Sequence, residues 1–100
     1  MVRKAVDAEP DNVAYRDSLG WVFYRLGRYE EAVKELEKAA EGENPDGVIL
    51  DHLGDAYSKT QQFEQAISTW QRAAAAFKKQ DDAKLLKKTE AKIKQHSTEN

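Results

Sequence analysis

The sequence predicts an all-α fold, an α-solenoid of antiparallel helical hairpins, and three observations predict it. The chain repeats itself with a period of 34 residues, each half of the repeat carries apolar residues at helical spacing, and turn formers separate the halves. Setting residues 11–43 over 45–77 pairs Asp17 with Asp51, Leu19 with Leu53, Gly20 with Gly54, Glu30 with Glu64, Ala32 with Ala66, Ala39 with Ala73 and Ala40 with Ala74. Conservative pairs fill the gaps: Phe23 on Tyr57, Tyr29 on Phe63, Val33 on Ile67 and Leu36 on Trp70. A fixed period of this length marks units that bury their apolar faces by stacking on one another.

Taken in order, the register begins before the first full unit. Lys4, Ala5 and Glu9 stand 34 residues ahead of Lys38, Ala39 and Glu43. Residues 1–10 therefore read as the remnant of the second helix of a preceding repeat, closed by Pro10, and the chain as part of a longer array. The first repeat occupies 11–44. Leu19, Val22, Phe23 and Leu26 form the stripe of its first helix, and Tyr29, Ala32, Val33, Leu36 and Ala39 that of its second. Gly27-Arg28 lies between them, where a left-handed residue ends a helix. Glu41 to Asp46 then carries Gly42 and Pro45, a terminator followed by a proline suited to a first helical turn.

The second repeat occupies 45–78, and its internal turn, Thr60-Gln61-Gln62, lacks a glycine, which predicts a slightly strained or looser turn. Residues 79–96 follow as a capping helix opened by Asp81-Asp82, with Ala83, Leu85, Leu86 and Ile93 on its apolar side. Lys84, Lys87, Lys88, Lys92 and Lys94 are expected to face water, and the acid-first, base-last order suits the helix dipole. From about His96 the chain has nothing to bury, so residues 97–100 are expected to be a disordered tail.

Composition narrows the classes of function. One hundred residues make one domain. With no cysteine there is no disulfide framework, thiolate metal site or thiol nucleophile. No apolar run reaches the roughly 20 residues of a membrane span, and Met1 to Asp7 lacks the apolar stretch of a signal peptide; cytoplasm and periplasm are both compatible. The net charge of −2 hides an asymmetry: nine basic and fourteen acidic residues precede Phe77, and seven basic and four acidic follow it. The body is acidic and the end basic.

Leu19-Gly20-x2-Phe23 with Ala32-x3-Leu36 and Ala39, and then Leu53-Gly54-x2-Tyr57 with Ala66-x3-Trp70 and Ala73, resemble the signature of the tetratricopeptide repeat (TPR). The resemblance covers about two thirds of the chain, with Arg16 and Lys78 departing from it where an apolar residue and a closing proline belong. It implies a segment of a right-handed superhelix that acts as a protein-interaction scaffold, binding a peptide or helix in the concave groove formed by the first helix of each repeat. By position, the groove residues are Asp17, Ser18, Trp21, Tyr24 and Arg25 of the first repeat and Asp51, His52, Asp55, Ser58 and Lys59 of the second. Three acids and two aromatics on that face suit a partner with basic and apolar residues, anchored on Trp21 and Tyr24. The bland alternative makes Trp21 a packing residue and the acids solvated. The carboxylate clamp with which some members hold chaperone tails is absent, because Asp17, Asp51 and Asp55 would repel a carboxylate.

Other classes fare worse. No nucleophile with its base, and no set of cofactor ligands, stands out, so neither enzyme chemistry nor a cofactor is expected. Asp51, His52 and Asp55 have metal-like spacing on one helix, but without a second histidine nearby. The lysines from Lys78 to Lys94 could meet phosphates, yet Asp81, Asp82 and Glu90 interrupt them and aromatics are missing, so nucleic acid is not expected. A packing or oligomerisation segment is the structural alternative. Val2, Ala5, Val6 and the apolar side of the first repeat form an upstream edge through which two copies could pair.

Overall fold

The computed structural model describes residues 13–41 and 45–97, and within them the chain is helical. The helices are α1 (Val13–Arg25), α2 (Tyr29–Ala39), α3 (Gly47–Lys59), α4 (Phe63–Lys79) and α5 (Ala83–Ser97). The expected remnant in residues 1–10, with Val2, Ala5 and Val6, lies outside the described residues. Shifting α1 by 34 residues reproduces both ends of α3, and shifting the start of α2 reproduces that of α4. α4 then runs six residues further, to Lys79, where no proline stops it. The sequence placed Lys79 in the cap and Ser97 in the tail; they belong to α4 and α5.

Each helix packs chiefly on its neighbours in sequence, α1 on α2, α2 on α3, α3 on α4 and α4 on α5, with a lighter contact of α1 with α3. This is the stacking of an all-α solenoid. Ala32, Val33 and Leu36 of α2 meet Leu53 and Ala56 of α3, bordered by Phe23, Tyr24 and Tyr57. Further along, Leu50, Ala73 and Phe77 pack together and receive Leu85 and Leu86 of α5.

The repeated glycines set how closely the hairpin helices cross. A Cβ on Gly20 would lie 2.6 Å from Leu36 Cγ, and one on Gly54 only 2.4 Å from Trp70 Cδ1 and Nε1. Leu36 and Trp70 are themselves a repeat-related pair, so one packing solution is used twice.

Three turns share one hydrogen-bond pattern. Arg28 N–H bonds Phe23 O, Gln62 N–H bonds Tyr57 O and Asp82 N–H bonds Phe77 O, each at 2.9 Å. This six-to-one closure is a Schellman motif, which needs a left-handed residue just past the helix. Gly27 supplies it at φ 80°, but Gln61 and Asp81 adopt φ 65° and 60° with full side chains. The strain expected in the second turn is therefore present and recurs before α5. Asp46 caps α3 by accepting Val48 N–H at 2.8 Å, and Asp82 caps α5 by accepting Leu85 N–H at 3.1 Å.

Val22 and Leu26, stripe residues on the apolar side expected at an upstream edge, are 51% and 65% exposed, because the face they share with Ala14 and Ser18 has no described helix against it. Arg16, an intruder at an apolar position, turns its guanidinium to Glu35 at 3.1 Å and is satisfied there.

Candidate functional site

The candidate face is formed by side chains of α1 and α3, with Trp70 of α4 and the second half of α5 against it. Side chains at Asp17, Trp21 and Tyr24 are brought to this face by the three- and four-residue spacing of α1, and Asp51, His52, Asp55, Ser58 and Lys59 by the same spacing on α3. Of the ten candidates, Asp17, Trp21, Tyr24, Asp51, His52, Asp55 and Ser58 are half-buried and in mutual contact or in contact with α5. Ser18, Arg25 and Lys59 are exposed, and Ser18 lies on the Val22 and Leu26 face.

At the α1–α3 junction, His52 Nδ1 lies 2.9 Å from Asp17 Oδ1. Its ring stacks on Trp21 at 4.0 Å between centroids, and Trp21 stacks in turn on Tyr24 at 4.5 Å with the planes 7° apart. Tyr24 meets Tyr29 edge to face, and Lys59 Nζ sits 6.0 Å from the Tyr29 ring. Both faces of the Trp21 indole are therefore covered. Ring faces already in van der Waals contact cannot be shared, so the stack leaves the edge of Trp21 as the part open to further contact.

Beside this stack stands a group that the sequence reading missed. Lys92 Nζ lies 3.0 and 3.2 Å from the two Asp51 oxygens and 3.0 and 3.2 Å from those of Asp55. Its expected place in water is wrong. The apolar contacts of Leu85 and Leu86 rotate α5 so that Lys92, about two turns further along, points back over α3. Two carboxylates sharing one ammonium leave a surplus negative charge. Burial pushes the Asp55 carboxyl above its ordinary range and the charge of Asp51 adds to this, against the opposing pull of Lys92. Burial pulls Lys92 down, but the charge of Asp55 and the hydrogen bonds to both acids more than restore it, so its pKa stands above that of an ordinary lysine. Both directions are consistent with an ammonium held firmly by two crowded acids.

His96, expected to fray, is half-buried in the last turns of α5. Its Nδ1 lies 2.8 Å from the Lys92 carbonyl and must donate to it, and its Nε2 lies 3.2 Å from Ser58 Oγ. Its ring lies 4.8 Å from that of Trp70, while Trp70 Nε1 donates to Asp55 at 3.2 Å. A serine beside an imidazole nitrogen is half of a nucleophilic pair. Ser58 sits in the last turns of a helix, where backbone N–H groups are spent on helix bonds and none converge to stabilise an oxyanion. The pair instead ties α5 to α3.

Between these groups lies an open pocket of about 310 Å³, lined by Tyr24, Asp55, Ser58, Lys59, Trp70, Lys92 and His96. A larger one of about 720 Å³, where the start of α3 meets the end of α4, has Asp46, Arg72 and Lys79 but no aromatic group. The metal-like triplet is dispersed: His52 turns to Asp17 while Asp51 and Asp55 take Lys92. Among the described residues no group of three or more histidines, cysteines or acids is arranged to hold a metal ion, and no helix is long and apolar enough to cross a membrane.

Comparison with known proteins places this geometry. Residues 1–48 match one family model described as a tetratricopeptide repeat, and residues 49–84 match a second with the same description. A TPR repeat-containing protein of Pseudomonas aeruginosa is 36% identical over 55 residues, which is 55% of this chain and 9% of that protein. The chain thus spans a small part of that relative. Among solved structures, the N-terminal domain of stress-induced protein-1 from C. elegans superposes with a TM-score of 0.69 at 21% identity, covering 89% of this chain and 76% of the other, and so shares its fold. Family matches in both halves, the 34-residue translation and the paired glycine crossings converge: the chain belongs to the tetratricopeptide repeat family.

Proposed function

We propose that this chain, a protein-interaction scaffold by family, receives in its concave face a partner segment that carries both basic and apolar side chains. One observation carries the reading. The face already accommodates a lysine: the ammonium of Lys92 is bound by Asp51 and Asp55, close to the Trp70 ring. Asp17 supplies a third carboxylate, paired among the described residues with His52, and the Trp21–Tyr24 stack supplies an apolar edge beside it. Charge complementarity of this kind sets register and partner choice more than raw affinity.

The test is a titration of the 15N-labelled chain with blocked peptides, one set of Leu, Lys and Arg and one of Leu, Asp and Glu, at two salt concentrations. Amide shifts at Asp17, Trp21, His52 and Asp55 with the basic set alone, weakened by salt and lost in Asp17→Asn/Asp55→Asn, are the expected result. Equal response to the acidic set would sink the reading.

A second reading is favoured by Val22 and Leu26, which are exposed on one face of α1. Their repeat equivalents are Ala56 of α3, fully buried in the core formed with α2, and Thr60, the residue that caps the end of α3. On this reading the chain is a packing segment whose upstream edge takes another hairpin or a second copy. Sedimentation of the wild type against Val22→Ser/Leu26→Ser checks it: the wild type should sediment as a dimer that the variant loses.

A further inference from the structure

We infer that the C-terminal half of α5 is a strap across the groove, an internal occupant that a basic partner must displace; this rests on the groove reading above. α5 is held in two different ways along its length. Its first half is anchored by Leu85 and Leu86 in the cluster of Leu50, Ala73 and Phe77, and by Thr89, which is buried and returns its hydroxyl to Leu85 O at 2.9 Å. Its second half touches α3 through side-chain tips: Lys92 on Asp51 and Asp55, and His96 on Ser58. Ala91 and Lys94, on the far side of the same turns, are exposed.

The two kinds of attachment respond differently to a competitor. Apolar burial in the first half has no substitute in a peptide bound at the groove. The ion pairs of the second half do: a partner ammonium placed on Asp51 and Asp55 replaces that of Lys92 one for one, and the released lysine regains its water. What the exchange gives up is the His96–Ser58 bond, the contacts of His96 with Trp70 and Phe63, and the partial burial of Ile93. The pocket at Tyr24, Lys59 and His96 is the open place from which such a competitor would enter. Docked, the strap covers the acidic pair; released, it uncovers both acids together with Ser58 and the Trp70 edge. Apparent affinity for the partner is then the intrinsic affinity scaled by the fraction of chains with the strap released.

The experiment loosens the strap without touching the groove. Ala91→Gly/Lys94→Gly lowers helix propensity on the exposed side of the second half, and the blocked Leu/Lys/Arg peptide is titrated into both chains. Tighter binding by the variant, about tenfold for two glycines, is expected. In the wild type, the peptide should speed hydrogen exchange of amides 92–97 while those of 86–90 stay protected. Equal or weaker binding by the variant, or greater protection of 92–97 on binding, overturns the strap and leaves the groove reading intact. Failure of both chains to bind the peptide overturns the two together.

Discussion

Replacing Gly54 by alanine tests the packing rule on which both repeats depend. The added methyl would lie 2.4 Å from two atoms of the Trp70 ring, whereas ordinary carbon contacts are about 3.5–4.0 Å. The ring must therefore move by roughly 1 Å. It cannot do so by rotating into solvent, being 1% exposed, and moving it strains the Nε1–Asp55 hydrogen bond. Overpacking of this kind costs about 1–3 kcal/mol, and the better helix propensity of alanine returns about 1 kcal/mol. The rigidity of the indole places the cost in the upper part of its range, so a net loss of about 1–2 kcal/mol and a fall in Tm of roughly 5–15 °C are expected for a domain this small. Gly20→Ala is the internal control. It meets Leu36 Cγ at 2.6 Å, but a leucine can change rotamer, and the net change should stay within about 1 kcal/mol. The assay is urea and thermal unfolding by circular dichroism, with Trp70 emission followed in a Trp21→Phe background that leaves one indole. A Gly54→Ala chain as stable as the wild type, with Trp70 emission unmoved, would refute the reasoning.

The left-handed residues give a change in the opposite direction. Gln61→Gly should stabilise the chain by about 0.5–1 kcal/mol in urea unfolding and Asp81→Gly by less, because aspartate tolerates positive φ better than glutamine does. The cap lysine gives a pH dependence. Because the folded-state pKa of Lys92 lies above its ordinary value of 10.5, its contribution to stability is fully present below that pH and declines as pH rises through the folded-state pKa. Thermal melts from pH 8 upward should therefore show the wild type losing its stability advantage over Lys92→Met only above about pH 10.5; an advantage that is constant across the range, or that vanishes already at pH 8, would contradict the pairing.

The sequence carried the architecture because repeat packing is a translation. Gly20 and Leu36 recur as Gly54 and Trp70, so one crossing seen twice at constant spacing specifies the hairpin and the stacking of the second hairpin on the first. The ten candidate groove residues came from the positions that the family resemblance implies; seven of them, Asp17, Trp21, Tyr24, Asp51, His52, Asp55 and Ser58, are half-buried in the contacts described above, while Ser18, Arg25 and Lys59 are exposed. What escaped notice belongs to α5, which has no repeat counterpart to fix its rotation. Lys92 looked like a member of a solvated lysine face and His96 like the start of a fraying tail, because their role depends on which side of the helix Leu85 and Leu86 bury. One signal was available. Lys92 and His96 are four residues apart, the spacing of a single helix face, and Lys92 lies seven and six positions beyond Leu85 and Leu86, within reach of the same side. The exposure of Val22 and Leu26 is that of the apolar side that the sequence assigned to an upstream edge, although a periodic apolar stripe does not say which neighbour would cover it.

The largely neighbour-to-neighbour packing of the five described helices also bears on how the chain acquires its shape. Even the contact of Lys92 with Asp51, which draws the last helix onto the second repeat, joins residues only 41 apart. Such local topology implies little loop-closure entropy before contacts form, and hence a low contact order and fast folding on the microsecond to millisecond scale. Nucleation at the α3–α4 hairpin, which holds Trp70 and Phe77, could spread toward either end. An array built this way adds a unit to its growing edge without rearranging those already in place.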